Sequence, residues 1–377
     1  MIKTDSSVFV ISEFNPFHFG HKYLIDTLKR DFSTVICVMS GNSVQRGEVA
    51  CAEKYQRAAI AVNSGANLVL ELCFPFSSLS AKDFAAAGVF AAGAFGCQTL
   101  AFGAEDDKET VTRAAEVLFD RQKIKEYIKL NPNLSYPKAA KAILKESLGA
   151  GEELIEKPNN ILAVEYISAI KALGLSINTL FVKREKGCLS SSAVRRRLSA
   201  NFNEGLSLLP GTTSEPLGQS GLWNGKALDA AFISKFRLSG GEGDCYGIDA
   251  GGFKSVYNSS MSSRTLDEVC EKAASTILTR ARVRRALLLY FFGVGREYGR
   301  KTPSYSLLLA ADKIGREYIS KNKKSFGLPL ITKPADYKKA GKRAETDFLL
   351  SADADIVFGL ASPNGVYNPL LMTPYMP

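Results

Sequence analysis

Over its first two hundred residues the chain alternates short apolar runs with longer stretches of helical periodicity, and few folds accommodate that alternation. The runs are Val8–Ser12, Thr34–Ser40, Asn67–Leu72, Thr99–Gly103 and Thr179–Lys183. The helical stretches are His21–Arg30, Glu53–Ser64, Lys82–Gly96, Glu109–Leu130 and Asn160–Leu173. Near-continuous, mostly β-branched or aromatic runs suit parallel strands buried on both faces, and their alternation with helices implies βαβ units. The expectation is an α/β chain with a Rossmann-like parallel sheet whose ligand lies beyond the carboxyl ends of the strands.

A length of 377 residues permits two domains. Residues 201–265 ("LLPGTTSEPLGQSGLWNG", "LSGGEGDCYGIDAGGF") are turn-rich and weakly patterned, and read as irregular. Thr265–Phe292 and Ser304–Lys323 read as basic helices. These shifts place a boundary near residue 200, with a catalytic domain over 1–200 and a basic, mainly helical domain over 201–377. The seven cysteines are scattered and form no C-x-x-C pair, which argues against a disulfide framework or a zinc site and suits a reduced, cytoplasmic protein. No run approaches the roughly 18 apolar residues that span a bilayer, so no membrane partner is expected.

The net charge of +10 is unevenly placed. Between Leu278 and Arg343 there are 17 Lys and Arg against Glu297, Asp312, Glu317 and Asp336, a balance of +13 that leaves −3 for the rest. Such a segment is either a solvated basic face or a polyanion-binding surface. Arg280, Arg282, Arg284 and Arg285 fall within one predicted helix and are its candidate RNA contacts.

Both histidines of the chain, His18 and His21, lie in "NPFHFGHK", between the first strand and a helix. A helix N-terminus offers free N–H groups and a positive dipole end to phosphate, and Gly20 removes a side chain where a ligand must approach. Imidazoles one turn apart can donate to phosphoryl oxygens as charge develops. Metal ligation and a plain polar loop are the competing readings, although no third His, Cys or acidic cluster completes a metal shell.

The stretches "EFNPFHFGHKYL", "VMSGNSVQRGEVA", "NLVLELCFP", "AFGAE", "KPNNILAVEYISAI", "VKR", "SSAVRRRL" and "TRARVRRALLLYFFGV" follow one another in the order of a known family. The chain resembles the bacterial tRNA(Met) cytidine acetate ligases of the H-x-G-H nucleotidyltransferase superfamily. The resemblance implies an ATP-dependent ligase that activates acetate as acetyl-adenylate and acetylates the wobble cytidine of elongator tRNA(Met), with Mg²⁺ carried on the nucleotide. It assigns His18, His21, Ser192 and Arg195 to catalysis, with Ser192 capping a helix and Arg195 holding outer phosphates. Its nucleotide contacts are Ile11, Glu13, Phe14, Asn15, Pro16 and Phe17 with the two histidines and Gly20. Gly103, Asn160 and Arg184 complete them.

Asn42, Gln45 and Arg46 of "GNSVQRGE" are substrate-pocket candidates, Arg46 as a carboxylate partner, and a purely structural loop is equally compatible with that stretch. The chain departs from the family pattern at Phe19, Ser43 and Val49, and Glu185–Leu189 replaces a longer family segment. An adenylyltransferase for a small phosphorylated acceptor and an inactive RNA-binding relative remain the alternative readings.

Overall fold

In a computed structural model that describes residues 3–149, 153–185, 187–364 and 367–377, the five expected strands all form. Nine strands occur among the described residues: β1 (Lys3–Ser12), β2 (Phe32–Ser40), β3 (Ser43–Val44), β4 (Glu48–Val49), β5 (Leu68–Leu72), β6 (Thr99–Ala104), β7 (Asn178–Lys183), β8 (Ser306–Ala311) and β9 (Leu330–Ile331). Seven build one sheet in the order β7-β6-β1-β2-β5-β8-β9, and β3 and β4 form a separate hairpin. The stretch from β7 to β5 is parallel throughout, with Phe9 opposite both Ile36 of β2 and Leu100 of β6. Val8–Val10 in β1, Val35–Met39 in β2 and Leu68–Leu72 in β5 are fully buried, as strands covered on both faces must be. From β1 the chain moves outward to β2 and β5, then returns to place β6 on the other side of β1. The strand order therefore reverses between β1 and β6, and a crevice opens at their carboxyl ends.

The second half of the chain departs from expectation. Ser306–Ala311, expected inside a basic helix, is β8, antiparallel to β5 with Leu68 opposite Ala311. An apolar run of that length reads equally as strand or buried helix, and pairing with an open sheet edge decided it. The helix Lys313–Asn322 follows, its first turn capped by Asp312. Residues 201–265 are not irregular: they hold the helices Phe202–Ser207, Gly211–Ser220, Asp229–Arg237 and Ala250–Met261. Two of their apparent turn residues are caps, Asn201 accepting from the Glu204 N–H and Asp249 from the Gly252 N–H. Thr265–Phe292 is two helices, Leu266–Ala273 and Arg280–Phe291, and Glu109–Leu130 is also two, meeting at Asp120.

The segment beyond residue 200 is mainly helical, as expected, and in addition contributes β8 and β9 to the sheet of the first half. One apolar core joins residues of both halves, from Val8 to Phe358, and a smaller cluster of Cys51, Ala52, Val194, Leu198, Leu209 and Leu217 lies around residue 200.

A buried ionic cluster ties the two halves. Lys54 Nζ donates to Glu71 Oε1 at 2.8 Å and to Asp355 Oδ2 at 2.6 Å. Asn42 Nδ2 donates to the other Asp355 oxygen at 2.9 Å, and Asn42 Oδ1 accepts the Lys54 N–H. Burial opposes the charge on Lys54, and the carboxylates of Asp355 and Glu71 outweigh it, so the amine is held above its ordinary range. Removing one partner of a buried pair strands the other charge, at a cost of about 3–5 kcal/mol. Lys54→Ala, which leaves the buried Glu71 and Asp355 carboxylates without their cation, should lower stability by that amount, read as a drop in the urea midpoint at unchanged slope.

Candidate active site

The crevice between β1 and β6 contains a cavity of about 230 Å³. Ile11, Glu13, Phe14, His18, Gly20 and His21 line one side, and Phe102, Gly103, Lys183 and Arg184 line the strand ends opposite. Asn159, Tyr166, Ser190 and Ser191 close the wall. Local sequence builds the first side. β1 stops at Ser12, Phe14 turns the chain at φ +46°, and the helix Phe19–Leu28 starts behind an extended His18. A positive φ is strained for an aromatic residue, and packing holds it here: the Phe14 ring lies 5.0 Å from Phe17 and 5.0 Å from His21.

The two imidazoles are capping groups as well as cavity walls. His18 Nδ1 accepts the Gly20 N–H at 3.0 Å, and His21 Nδ1 accepts the His18 N–H at 3.3 Å. The rings stack at 3.8 Å between centroids. Burial and the nearby Arg184 charge push His18 down to about 4, and burial, His18 and Arg184 push His21 well below its ordinary value. Both rings are therefore neutral near pH 7. Because each Nδ1 accepts, each ring carries its proton on Nε2 and keeps a single donor for a ligand. Gly20 is required by this geometry, since a Cβ there would stand 2.9 Å from His18 Cε1. Gly103 is different: a Cβ there would meet no protein atom closer than Val182 O at 4.0 Å, so the glycine only leaves room in the cavity.

Two arginines fasten the loop. Arg195 Nη1 donates to Asn15 O at 2.7 Å, and Asn15 Oδ1 accepts the Cys51 N–H at 2.7 Å. Arg57, wholly buried, donates to Glu13 O at 2.5 Å, Ala52 O at 2.9 Å, Ser40 O at 3.2 Å and Gly41 O.

The sequence-derived candidates separate into those at the cavity and those behind it. Ile11, Glu13, Phe14, His18, Gly20, His21, Gly103 and Arg184 line it, whereas Asn15, Pro16 and Phe17 are buried in the loop. Asn160 also lies behind the wall. It is wholly buried, accepting the Glu105 and Asp106 N–H groups and donating to Asp106 and Leu154 O. Its neighbour Asn159 reaches the cavity instead. Asn42 belongs to the Lys54 cluster and not to a pocket. Gln45 acts through its backbone, its N–H donating to Glu13 Oε1 at 2.8 Å.

Arg46 is exposed, with Nη1 3.5 Å from Ser192 Oγ. The helix Ser191–Ala200 is capped by Ser190, not Ser192, whose hydroxyl instead lies 3.4 Å from Arg195 Nη2. A run of three serines hides which one caps.

The four arginines of the basic helix do not form an open face. Arg280 is exposed and paired with Glu271, and Arg282 donates to Gly247 O and Ile277 O. Arg284 pairs with Asp267 and approaches Glu48, while Arg285 is largely buried, donating to Gln45 O at 3.4 Å. The turn of the β3–β4 hairpin sits on this helix: a Cβ on Gly47 would lie 2.7 Å from Arg285 Cα.

Sequence reasoning missed Arg57, Lys54, Glu71, Glu105 and Tyr166. The signal for three of them was there, as charges inside apolar patterns ("KYQRAAIAV", "LVLEL") that a core admits only when they are bonded.

A chain with two histidines allows a direct test. Neither imidazole should titrate near pH 6.5, and His18 should titrate at about 4 by proton NMR. The unfolded chain takes up protons first as pH falls below 6.5, so stability should fall from there to about pH 4, by about 3 kcal/mol for His18. His18→Asn, whose amide oxygen can replace Nδ1, should flatten the fall in urea midpoint between pH 7 and 5.

The whole chain has relatives that share this arrangement. The model of the HIGH Nucleotidyl Transferase family matches residues 6–367. A tRNA(Met) cytidine acetate ligase of Thermosipho melanesiensis is 30% identical over 370 residues, covering 90% of this chain and 87% of its own. One from Thermoanaerobacter sp. (strain X514) is 29% identical over 362 residues, with 88% and 89% covered. The crystal structure of Thermotoga maritima TmcAL bound with alpha-thio ATP superposes with a TM-score of 0.89 at 27% identity, covering 98% of this chain and 99% of that one. A match of the family model across nearly the entire chain, with relatives of equal length and the same fold, leads to one conclusion: the chain belongs to the tRNA(Met) cytidine acetate ligase family of HIGH nucleotidyl transferases.

Proposed function

We propose that this protein binds ATP in the β1–β6 cavity, activates acetate as acetyl-adenylate, and transfers the acetyl group to the wobble cytidine of elongator tRNA(Met). The observation that carries the reading is the pair of imidazoles stacked at a helix N-terminus on the cavity wall, each with its Nδ1 occupied by a backbone N–H, an arrangement that leaves Nε2–H as the donor of a neutral ring. Neutral donors aimed at phosphates favour a transition state more than a ground state, because their bonds strengthen as charge grows on the departing group. The relatives are named tRNA(Met) cytidine acetate ligases, and the Thermotoga maritima protein was crystallised with alpha-thio ATP.

In this scheme a carboxylate oxygen of acetate attacks the α-phosphorus of ATP, and the bond to the β-phosphate breaks to release pyrophosphate. The cytidine N4 amine then attacks the acetyl carbonyl carbon, loses a proton, and AMP departs with the electron pair of the acyl–oxygen bond. Ile11, Phe14, Phe102 and Tyr166 offer the apolar surface for a base, Gly103 leaves space beside it, and Arg184 supplies a charge at the rim. Arg46, exposed beside Ser192, suits the acetate carboxylate. Among the described residues no three His, Cys, Asp or Glu side chains gather around one point. A Mg²⁺ ion would therefore be held by the oxygens of the nucleotide, where it supplies charge neutralisation.

The RNA would engage the basic segment. Because the arginines of Arg280–Phe291 are mostly engaged within the protein, the exposed Lys313, Lys323, Lys324, Lys333, Lys338 and Lys342 offer the freer charge. They follow β8 and surround β9, at the sheet edge opposite β7.

His21→Ala should reduce acetate-dependent ATP–pyrophosphate exchange by ~10²–10³-fold, the usual cost of losing one transition-state donor. Exchange at the parental rate would remove the phosphate role of His21. Exchange that ignores acetate, or needs a phosphorylated acceptor instead, would favour adenylyl transfer to a small molecule.

A further inference from the structure

Acetyl transfer to an amine needs a group that accepts the amine's proton, and the residues lining the cavity narrow the choice. The histidines are unsuited: each Nδ1 already accepts a backbone N–H, and each Nε2 of the neutral ring carries its proton. Tyr23 and Tyr166 are neutral donors, and Lys183 and Arg184 are cations. Two carboxylates remain on the lining, Glu185 and Glu13. Glu185 is exposed, and its Oε2 already accepts the Cys188 thiol at 3.4 Å. Glu13 lies within the wall, directly after β1, on a backbone whose carbonyl Arg57 grips at 2.5 Å. Its Oε1 accepts the Gln45 N–H at 2.8 Å, and among the described residues Oε2 has no hydrogen-bond partner. Gln45 is itself fixed, its carbonyl accepting from Arg285 at 3.4 Å. One oxygen therefore holds the carboxylate in place, and the other is free to take a proton.

We propose that Glu13 is the general base of the acetyl-transfer step, its Oε2 accepting the N4 proton of the cytidine. This role rests on the reading of the cavity as the place where acetyl-adenylate forms. As N4 attacks the acetyl carbon, the nitrogen–carbon bond forms and the nitrogen gains positive charge. The proton passes from N4 to Glu13 Oε2, and the acyl–oxygen bond then breaks with its electron pair on AMP. The lone pair of a cytidine amine is shared with the ring, so the amine is a weak nucleophile and gains from losing its proton as the bond forms. Burial raises Glu13 above the ordinary carboxylate range, while the Gln45 N–H and the charges of Arg195, Arg46 and Arg57 oppose that rise. The first influence makes the carboxylate a stronger base, and the second favours its ionised form.

Synthetic acetyl-adenylate, mixed with the full chain and a saturating tRNA(Met) transcript, bypasses activation and reports transfer alone. Glu13→Gln keeps an oxygen for the Gln45 N–H and loses the base. In single turnover it should transfer acetyl about 10²–10⁴-fold more slowly than the parent, the usual contribution of a positioned base. Its acetate-dependent ATP–pyrophosphate exchange should fall by no more than about tenfold, the effect of one altered contact, and that retained exchange shows the variant to be folded. Transfer by Glu13→Gln at the parental rate would overturn the role and leave the departing phosphate as the proton acceptor. Equal losses of exchange and transfer would also overturn it, reducing Glu13 to a nucleotide contact. Transfer lost in Glu185→Gln and kept in Glu13→Gln would move the base to Glu185. Failure of the parent itself, in exchange with acetate or in transfer, would reject the reading of the site, and it is told apart by the absence of any parental rate.

Discussion

The buried guanidinium of Arg57 is the interaction on which the site depends. A charge at 1% exposure is admissible only when hydrogen bonds replace the water it has lost. Here the replacements are backbone carbonyls, and their positions matter: Glu13 O follows β1, Ser40 O ends β2, Gly41 O begins the next loop, and Ala52 O precedes the helix Lys54–Asn63. One side chain thus fixes where two neighbouring strands release the chain. Burial pushes the Arg57 guanidinium below its ordinary value, and the nearby Cys51, Glu53, Glu13 and Glu71 oppose that push. From this anchor the Glu13–His18 loop is held on both flanks, by Arg57 at Glu13 and by Arg195 at Asn15. The histidines then meet at ring-stacking distance.

A second constraint follows from the first. The hairpin between β2 and the helix Lys54–Asn63 is short, and its outer surface is covered by the helix Arg280–Phe291. Gln45 shows the consequence in a single residue, its N–H bound to Glu13 of the cavity and its carbonyl bound by Arg285. The helix is thus linked to the cavity through the peptide groups of Gln45, which hold Glu13 of the cavity wall on one side and Arg285 on the other. The basic segment and the candidate site are therefore mechanically adjacent, although they are separated by more than two hundred residues of sequence.

What could be read from the chain, and what could not, follows from the range of the forces involved. Strands β1, β2, β5, β6 and β7 are legible because burial on both faces demands an apolar run whatever the neighbours are. The H-x-G-H turn is legible because a strand end, a glycine and a helix start leave local marks. Ser306–Ala311 is not legible as β8, because its identity comes from β5, which lies far away in sequence and supplies the open edge. The arginines of Arg280–Phe291 mislead for a related reason. Periodicity shows that they share a face, but not that Gly47, Gln45, Asp267 and Gly247 cover it. Asn160 lies behind the cavity wall rather than on it, and Ser190, not Ser192, caps its helix. Telling a cavity residue from the residue that holds it needs one ångström of knowledge that a spacing pattern does not contain.

Electrostatics sets the last relation between the parts. The cavity itself presents neutral imidazoles, with its charged arginines at or behind the rim, so a polyanion is drawn to the outside of the site before it meets the donors within. Burial is what keeps the imidazoles neutral, and Arg184, which adds to the effect, is itself close to the Glu105 carboxylate at 3.6 Å. In the proposed reaction, charged histidines would hold the pyrophosphate product tightly, and turnover would suffer. Neutral donors avoid that trap, because a hydrogen bond from Nε2–H strengthens with the charge on its acceptor and weakens once that charge is shared with solvent. The same burial that costs the folded protein stability at low pH would thus give the proposed reaction a donor that grips most when the phosphate bond is breaking.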